Sequence, residues 1–224
     1  MRSGSGRWRR AQGAAGILLA LGLLLPVPTT DARVQVFERT LENGLKVLLI
    51  EEHKAPVATF HVWYRVGSRN ERTGVTGLSH FLEHMMFKGT GATGPKEFSR
   101  LIQRNGGWDN AFTSHDFTGY YTNIAADRIH LPIGLEADRM VNLLLKEEDV
   151  RTERDVVLEE RRLRIEDDPT SAVVEEMFAA AFKAHPYGHP VIGWLEDIRQ
   201  LGREDLARHY RTHYVPNNAV VVAV

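Results

Sequence analysis

From Val34 onward the apolar residues change period several times, and each change marks an element. "VQVFERTLENGLKVLLIEEH" (34–53) sets short apolar runs on either side of Asn43-Gly44, a tight-turn dipeptide, and predicts two strands. "VATFHVWYRVGS" (57–68) is dense in β-branched and aromatic side chains and reads as a sheet strand. His61 within it is expected to be an ordinary strand side chain with no ligand role. "RNERTGVTG" (69–77) is a loop; from about Gly77 to Lys88 the pattern turns helical, and Gly89 and Gly91 stop it. "PKEFSRLIQRNGG" predicts a second helix, with Pro95 near its start and Gly106-Gly107 at its end. "WDNAFTSHDFTGYYTNI" (108–124) predicts a strand pair turning near Ser114.

The next stretch has helical spacing over 127–146 and about 149–166, with a break near Lys146–Asp149. "SAVVEEMFAAAF" (171–182) continues as helix, "AHPYGHPVIG" (184–193) is a Pro/Gly loop, "REDLARHYRTHY" (203–214) is a last helix and "NNAVVVAV" (217–224) a last strand. Strands, helices, strands, helices and a strand in that order predict an α+β fold: a largely antiparallel sheet with helices packed on one face. No internal repeat or low-complexity linker interrupts it. The chain ends inside a strand-like run with no polar tail, which predicts a longer protein or one whose other half is a separate chain.

The first 32 residues differ in kind. Arg2, Arg7, Arg9 and Arg10 precede the apolar run "AAGILLALGLLL" (14–25), and "PVPTTDA" then offers Thr30 and Ala32 at the −3 and −1 positions. This predicts a secretory signal peptide, residues 1–32, and an exported chain, periplasmic or secreted; a mitochondrial transit peptide is the alternative, disfavoured by the compact uncharged run. Twelve apolar residues fall short of the roughly 20 that a membrane helix needs, so no stable span is expected after cleavage. Without this leader's four basic and one acidic side chains, 28 Lys+Arg against 29 Asp+Glu become 24 against 28, net −4. That balance gives no reason to expect nucleic acid as a partner. The chain has no cysteine, so disulfides, thiolate nucleophiles, thiolate metal sites and a lipoprotein anchor are excluded.

Any transition metal here must therefore sit on His, Asp or Glu. "GLSHFLEHMMFKGT" (77–90) carries His80 and His84 four apart, with Glu83 directly before the second. On a helix such residues share a face, with Cβ atoms about 5–6 Å apart, so both imidazoles can point at one ion. Glu83 can reach a water on that ion and take its proton. A catalytic zinc usually has three protein ligands and an open position. The acidic helix "EDVRTERDVVLEERRLRIEDD" (148–168) is the natural donor of the third, and spacing alone leaves Glu153, Glu159, Glu160 and Glu166 open. Glu153 and Glu160, seven apart, share a face, so one can ligate while the other supports it. His209 and His213 are also four apart, but without an intervening glutamate and among Arg208 and Arg211; they read as a solvated helix face.

"HFLEH" is the inverted zinc-protease motif. With "GGWDNAFTSHDFTGYY", "ERDVVLEERR", "HPYGHPVIG" and "HYVPNNAVVVAV", in that order, the chain from about Val34 to its end resembles the pitrilysin/insulinase family. It is most similar there to shorter members such as bacterial exported peptidases and the mitochondrial processing peptidase β subunit. The resemblance implies a zinc metalloendopeptidase acting on peptides or unfolded proteins, with one Zn2+ per chain held by His80, His84 and Glu160. It makes Glu83 the general base and Glu153 a support of the site. It places Asn110, Ala111 and Thr113 on an edge strand that pairs with an extended peptide through backbone bonds. His115 and Tyr121 lie nearby without an assigned role. Members of this type carry a second, similar domain that closes over the substrate; residues 33–224 resemble only the first, zinc-bearing one. A partner chain supplying that domain, or a non-catalytic scaffold subunit, are the competing functions.

Overall fold

The computed structural model describes residues 34–224; the expected leader lies outside the described residues. Strand β1 (Val36–Thr40) turns through Gly44, φ +85°, into β2 (Lys46–Ile50), and β3 (Val57–Tyr64) follows. Helices α1 (Leu78–Met85) and α2 (Glu97–Arg104) precede the hairpin of β4 (Trp108–Thr113) and β5 (Thr118–Ala125). Then come α3 (His130–Asn142), α4 (Glu147–Arg161) with a π turn at Arg162–Glu166, α5 (Pro169–Ala181), α6 (Leu195–Gln200), α7 (Arg203–His213) and β6 (Ala219–Ala223). The six strands form one sheet in the order β1-β2-β6-β3-β5-β4, antiparallel throughout except for β2 against β6. This is the expected α+β architecture. Helix α6 was not anticipated: six residues are too few to show a helical period.

Alternation decides which face of the sheet is covered. In β3, Phe60, Val62 and Tyr64 are buried against the helices, while His61 and Trp63 point the other way. There His61 stacks between Trp63 and Tyr121, consistent with its reading as a strand side chain. On the helical side Leu78, Phe81, Leu82 and Met85 of α1 meet Val150 and Val157 of α4 and Leu206 of α7.

The start of α1 is fixed from several directions. Gly77 has φ +84° and Gly193 φ +92°, and a Cβ on Gly77 would lie 2.3 Å from the Ile192 carbonyl oxygen. The buried Glu71 carboxylate accepts from the Gly77 and Ser79 N–H groups at 2.7 and 2.6 Å, satisfying donors that a helix N-terminus leaves open. Asp197 of α6 accepts from Thr76 N–H at 3.1 Å and from its hydroxyl at 2.7 Å.

His209 corrects the expectation of a solvated pair. It is buried, with Nε2 3.1 Å from the Ser79 hydroxyl of α1, and His213 is half-buried. The α7 face carrying Leu206 and His209 packs on α1, and Arg208 and Arg211 take the outer side. Burial, helped by the neighbouring His213, pushes the His209 pKa down to about 3. The folded state thus holds this imidazole neutral, whereas the unfolded chain protonates it near pH 6.5. Its stabilising contribution is complete above that pH and is lost as pH falls toward 3. Urea unfolding of the metal-free chain should show the slope of stability against pH below 6.5 flattened in His209→Gln by up to about 1.4 kcal/mol per pH unit. Gly77→Ala, forced into a left-handed backbone against a carbonyl, should cost about 2 kcal/mol and lower Tm by roughly 4–8 °C in a thermal melt.

Candidate metal centre

Helix α1 buries its apolar stripe in the core, which turns His80, Glu83 and His84 toward α4 and β4. The two imidazole centroids lie 4.7 Å apart. Helix α4 buries Val150 and Val157, and its Glu153 and Glu160 face α1. Glu160 Oε2 is 3.1 Å from His84 Nε2 and 3.7 Å from His80 Nε2. One ligand atom from each of His80, His84 and Glu160 lies within 4.8 Å of the others, a group that could hold a metal ion. Of the other carboxylates that spacing left open, Glu159 pairs with Arg162 on the exposed side, 2.6 Å away, and Glu166 faces Arg161 at 3.5 Å. Glu153 bonds the far side of the same ring, its Oε1 2.9 Å from His84 Nδ1.

Burial and charge prepare the two histidines differently. Burial, and then the neighbouring His84, push the His80 pKa down to about 4, so the ring is neutral. Burial also opposes a charge on His84, but hydrogen bonds to Glu153 and Glu160 outweigh it and push its pKa up to about 9. Without metal at neutral pH, His84 is therefore an imidazolium between two carboxylates. A metal held at Nε2 would displace a proton, and Nδ1–H would keep its bond to Glu153. The bond from His84 also holds the Glu160 pKa down, against the effect of burial.

Glu83 projects from the same helix toward β4. Thr113, the last residue of that strand, donates its hydroxyl to Glu83 Oε2 at 2.6 Å. Burial raises the Glu83 pKa, and the threonine bond partly counters it. β4 lies at the edge of the sheet, bonded to β5 alone among the described strands. Asn110, Ala111 and Thr113 line a cleft of about 1350 Å³ together with Glu83, His84 and Glu160. His115 lies elsewhere, stacked on Phe178, and Tyr121 is on the far face of the sheet against His61.

Two side chains at this centre were not read from the sequence, and a third takes a different role. Thr113 was expected to act through its backbone, yet its side chain holds Glu83. Arg164 reaches Glu160 Oε1 at 2.9 Å, and Lys88 bonds Glu153 Oε2. The signal for Lys88 was its place four residues after His84, which continues the 80/84 stripe.

The family described as Insulinase (Peptidase family M16) matches residues 46–194. A Helicobacter pylori protein named zinc protease PqqE is 38% identical over 186 residues, covering 83% of this chain and 42% of that protein. A probable mitochondrial-processing peptidase subunit beta of Arabidopsis thaliana is 34% identical over 184 residues, covering 82% of this chain and 34% of that one. The crystal structure of a protease from Helicobacter pylori superposes with a TM-score of 0.84 at 36% identity, covering 85% of this chain and 46% of the other. The chain thus spans less than half the length of these relatives. The match over most of the folded residues, with sequence and fold in agreement, places the chain in the insulinase (M16) peptidase family.

Proposed function

We propose that this chain is the zinc-bearing part of a metalloendopeptidase that hydrolyses peptide bonds in peptides or unfolded proteins. The observation that carries this reading is the convergence of His80, His84 and Glu160 beside Glu83, in a cleft walled by an edge strand. The donor set fits zinc: two imidazole nitrogens and one carboxylate oxygen, with the outer nitrogen of His84 already bonded to Glu153. Calcium and magnesium prefer all-oxygen sites and fit it poorly. The relatives named zinc proteases support the same choice.

Zinc, when bound, supplies a Lewis acid that acidifies water and polarises a carbonyl. The chain's residues supply the rest. His80, His84 and Glu160 would hold the ion, and Glu153 fixes the ring of His84. Glu83 Oε2 is occupied by Thr113, which leaves Oε1 to take a proton from the attacking water and pass it to the leaving amine. Its burial-raised pKa suits both halves of that transfer. The free edge of β4 offers backbone donors and acceptors at the alternate residues Ala111 and Thr113, which align the substrate as an added strand, and Asn110, whose backbone faces β5, lines the same cleft. Because the chain spans under half of its relatives, the reading includes a second domain, in the same polypeptide or a partner, that closes the cleft. Residues 1–32 act in this reading as a leader for export.

Glu83→Gln removes the base and keeps the shape. In a fluorogenic-peptide assay of the zinc-loaded protein, with the second domain supplied, it should lower kcat about 10²–10⁴-fold. Undiminished cleavage by this variant, or full activity after exhaustive chelation, would falsify the proposal.

A further inference from the structure

We infer that Lys88 is a positioning residue for the metal centre: it binds one oxygen of Glu153 so that the other stays on His84. The inference rests on the metal reading of His80, His84 and Glu160. His80, His84 and Lys88 are successive members of one i, i+4 series. Lys88 lies just past the end of α1, and its N–H donates to the Met85 carbonyl at 2.9 Å, so the chain is still coiled when it leaves the helix. Opposite it, Glu153 and Glu160 are two turns apart on α4, about 10 Å along the axis. Each carboxylate is held by two groups of the α1 series. Glu160 Oε2 faces both imidazole Nε2 atoms. Glu153 Oε1 accepts from His84 Nδ1 at 2.9 Å, and its Oε2 bonds Lys88 Nζ. His84 belongs to both pairs, so a shift of Glu153 is felt at the metal-facing nitrogen.

Exposure separates this contact from ordinary ion pairs. The Lys88 and Glu153 side chains are 18% and 10% exposed, whereas Arg164, which pairs with Glu160, is 71% exposed. A pair as open as the Arg164 contact contributes little, while removing one partner of a largely buried pair leaves a charge without compensation. Lacking Lys88, the Glu153 carboxylate would have a free oxygen on the far side of the His84 ring. It would then turn from His84 toward water, and that turn releases the ring. Lys88 therefore acts through Glu153, holding it as a partner of the histidine, outside the ligand set, which among the described residues comprises His80, His84 and Glu160.

The test measures zinc affinity, which does not depend on cleavage or on a second domain. The full chain is stripped of metal and titrated with zinc against a chromophoric chelator, as wild type, Lys88→Met, Lys88→Arg, Glu153→Gln and Lys88→Met/Glu153→Gln. Lys88→Met should weaken zinc about 10–100-fold, the range for partners of metal ligands. Lys88→Arg, which keeps the charge, should recover most of that loss. In the Glu153→Gln background the lysine change should add nothing. The visible spectrum of the cobalt-loaded protein should shift in Lys88→Met and return in Lys88→Arg. Wild-type affinity in Lys88→Met would overturn the inference, as would an equal loss with and without the Glu153 carboxylate. A lowered melting temperature of the metal-free variant with unchanged zinc affinity would also overturn it, by reducing the lysine to a fold contact. Failure of the wild-type chain to bind zinc would instead remove the metal reading beneath it.

Discussion

Helices α1 and α4 meet at the ring of His84, which Glu153 holds from one side and Glu160 faces from the other. An imidazole between two carboxylates is a directional contact in a partly dry setting, where a misplaced charge is costly. It ties together two helices far apart in sequence. The geometry of the centre depends on that contact, because His80 and Glu83 follow from α1 once His84 is placed, and Glu160 follows from α4 once Glu153 is placed. The rest of the fold holds the two helices at the spacing the contact needs.

Much of the remaining structure serves that spacing. Gly77 and Gly193 let two backbones approach where no Cβ could fit, and Glu71 and Asp197 close the loop that leads into α1. From the other end, Arg161 of α4 donates to both oxygens of Glu175 on α5, at 2.9 and 2.7 Å, and to the Gly193 carbonyl at 2.8 Å. The loop around Gly193 thus touches the start of α1 and the end of α4 together. Thr113 adds a third direction: the edge strand that would receive a peptide also grips the carboxylate proposed as base. In the proposed reading, substrate alignment and base orientation share one rigid element, which would keep the reacting groups in register.

The legible parts of the sequence were those that repeat locally. The helical period over 77–88, the hairpin at Asn43-Gly44 and the β-branched and aromatic run over 57–68 all carry their pattern within a few residues. Contacts between distant segments were not legible in this way. Periodicity offered four carboxylates on one helix, and only the resemblance of "ERDVVLEE" to a family motif singled out Glu160; the folded distances agree with that choice. The parallel pairing of β2 with β6 brings together the two ends of the described chain, which no local pattern encodes. His209 was misread because its burial depends on Ser79 on another helix. Helix α6 escaped notice because its six residues are held by Asp197 and Ile198 contacts rather than by a period.

Two imidazoles and one carboxylate at the junction of α1 and α4 are the proposed ligands of a mononuclear centre. X-ray absorption at the zinc edge, on the chain loaded with one equivalent of zinc, tests this most directly. Four light ligands at about 2.0–2.1 Å, with outer-shell scattering from two imidazole rings, are expected. Zinc bound through one imidazole, through three, or through none would contradict the assignment.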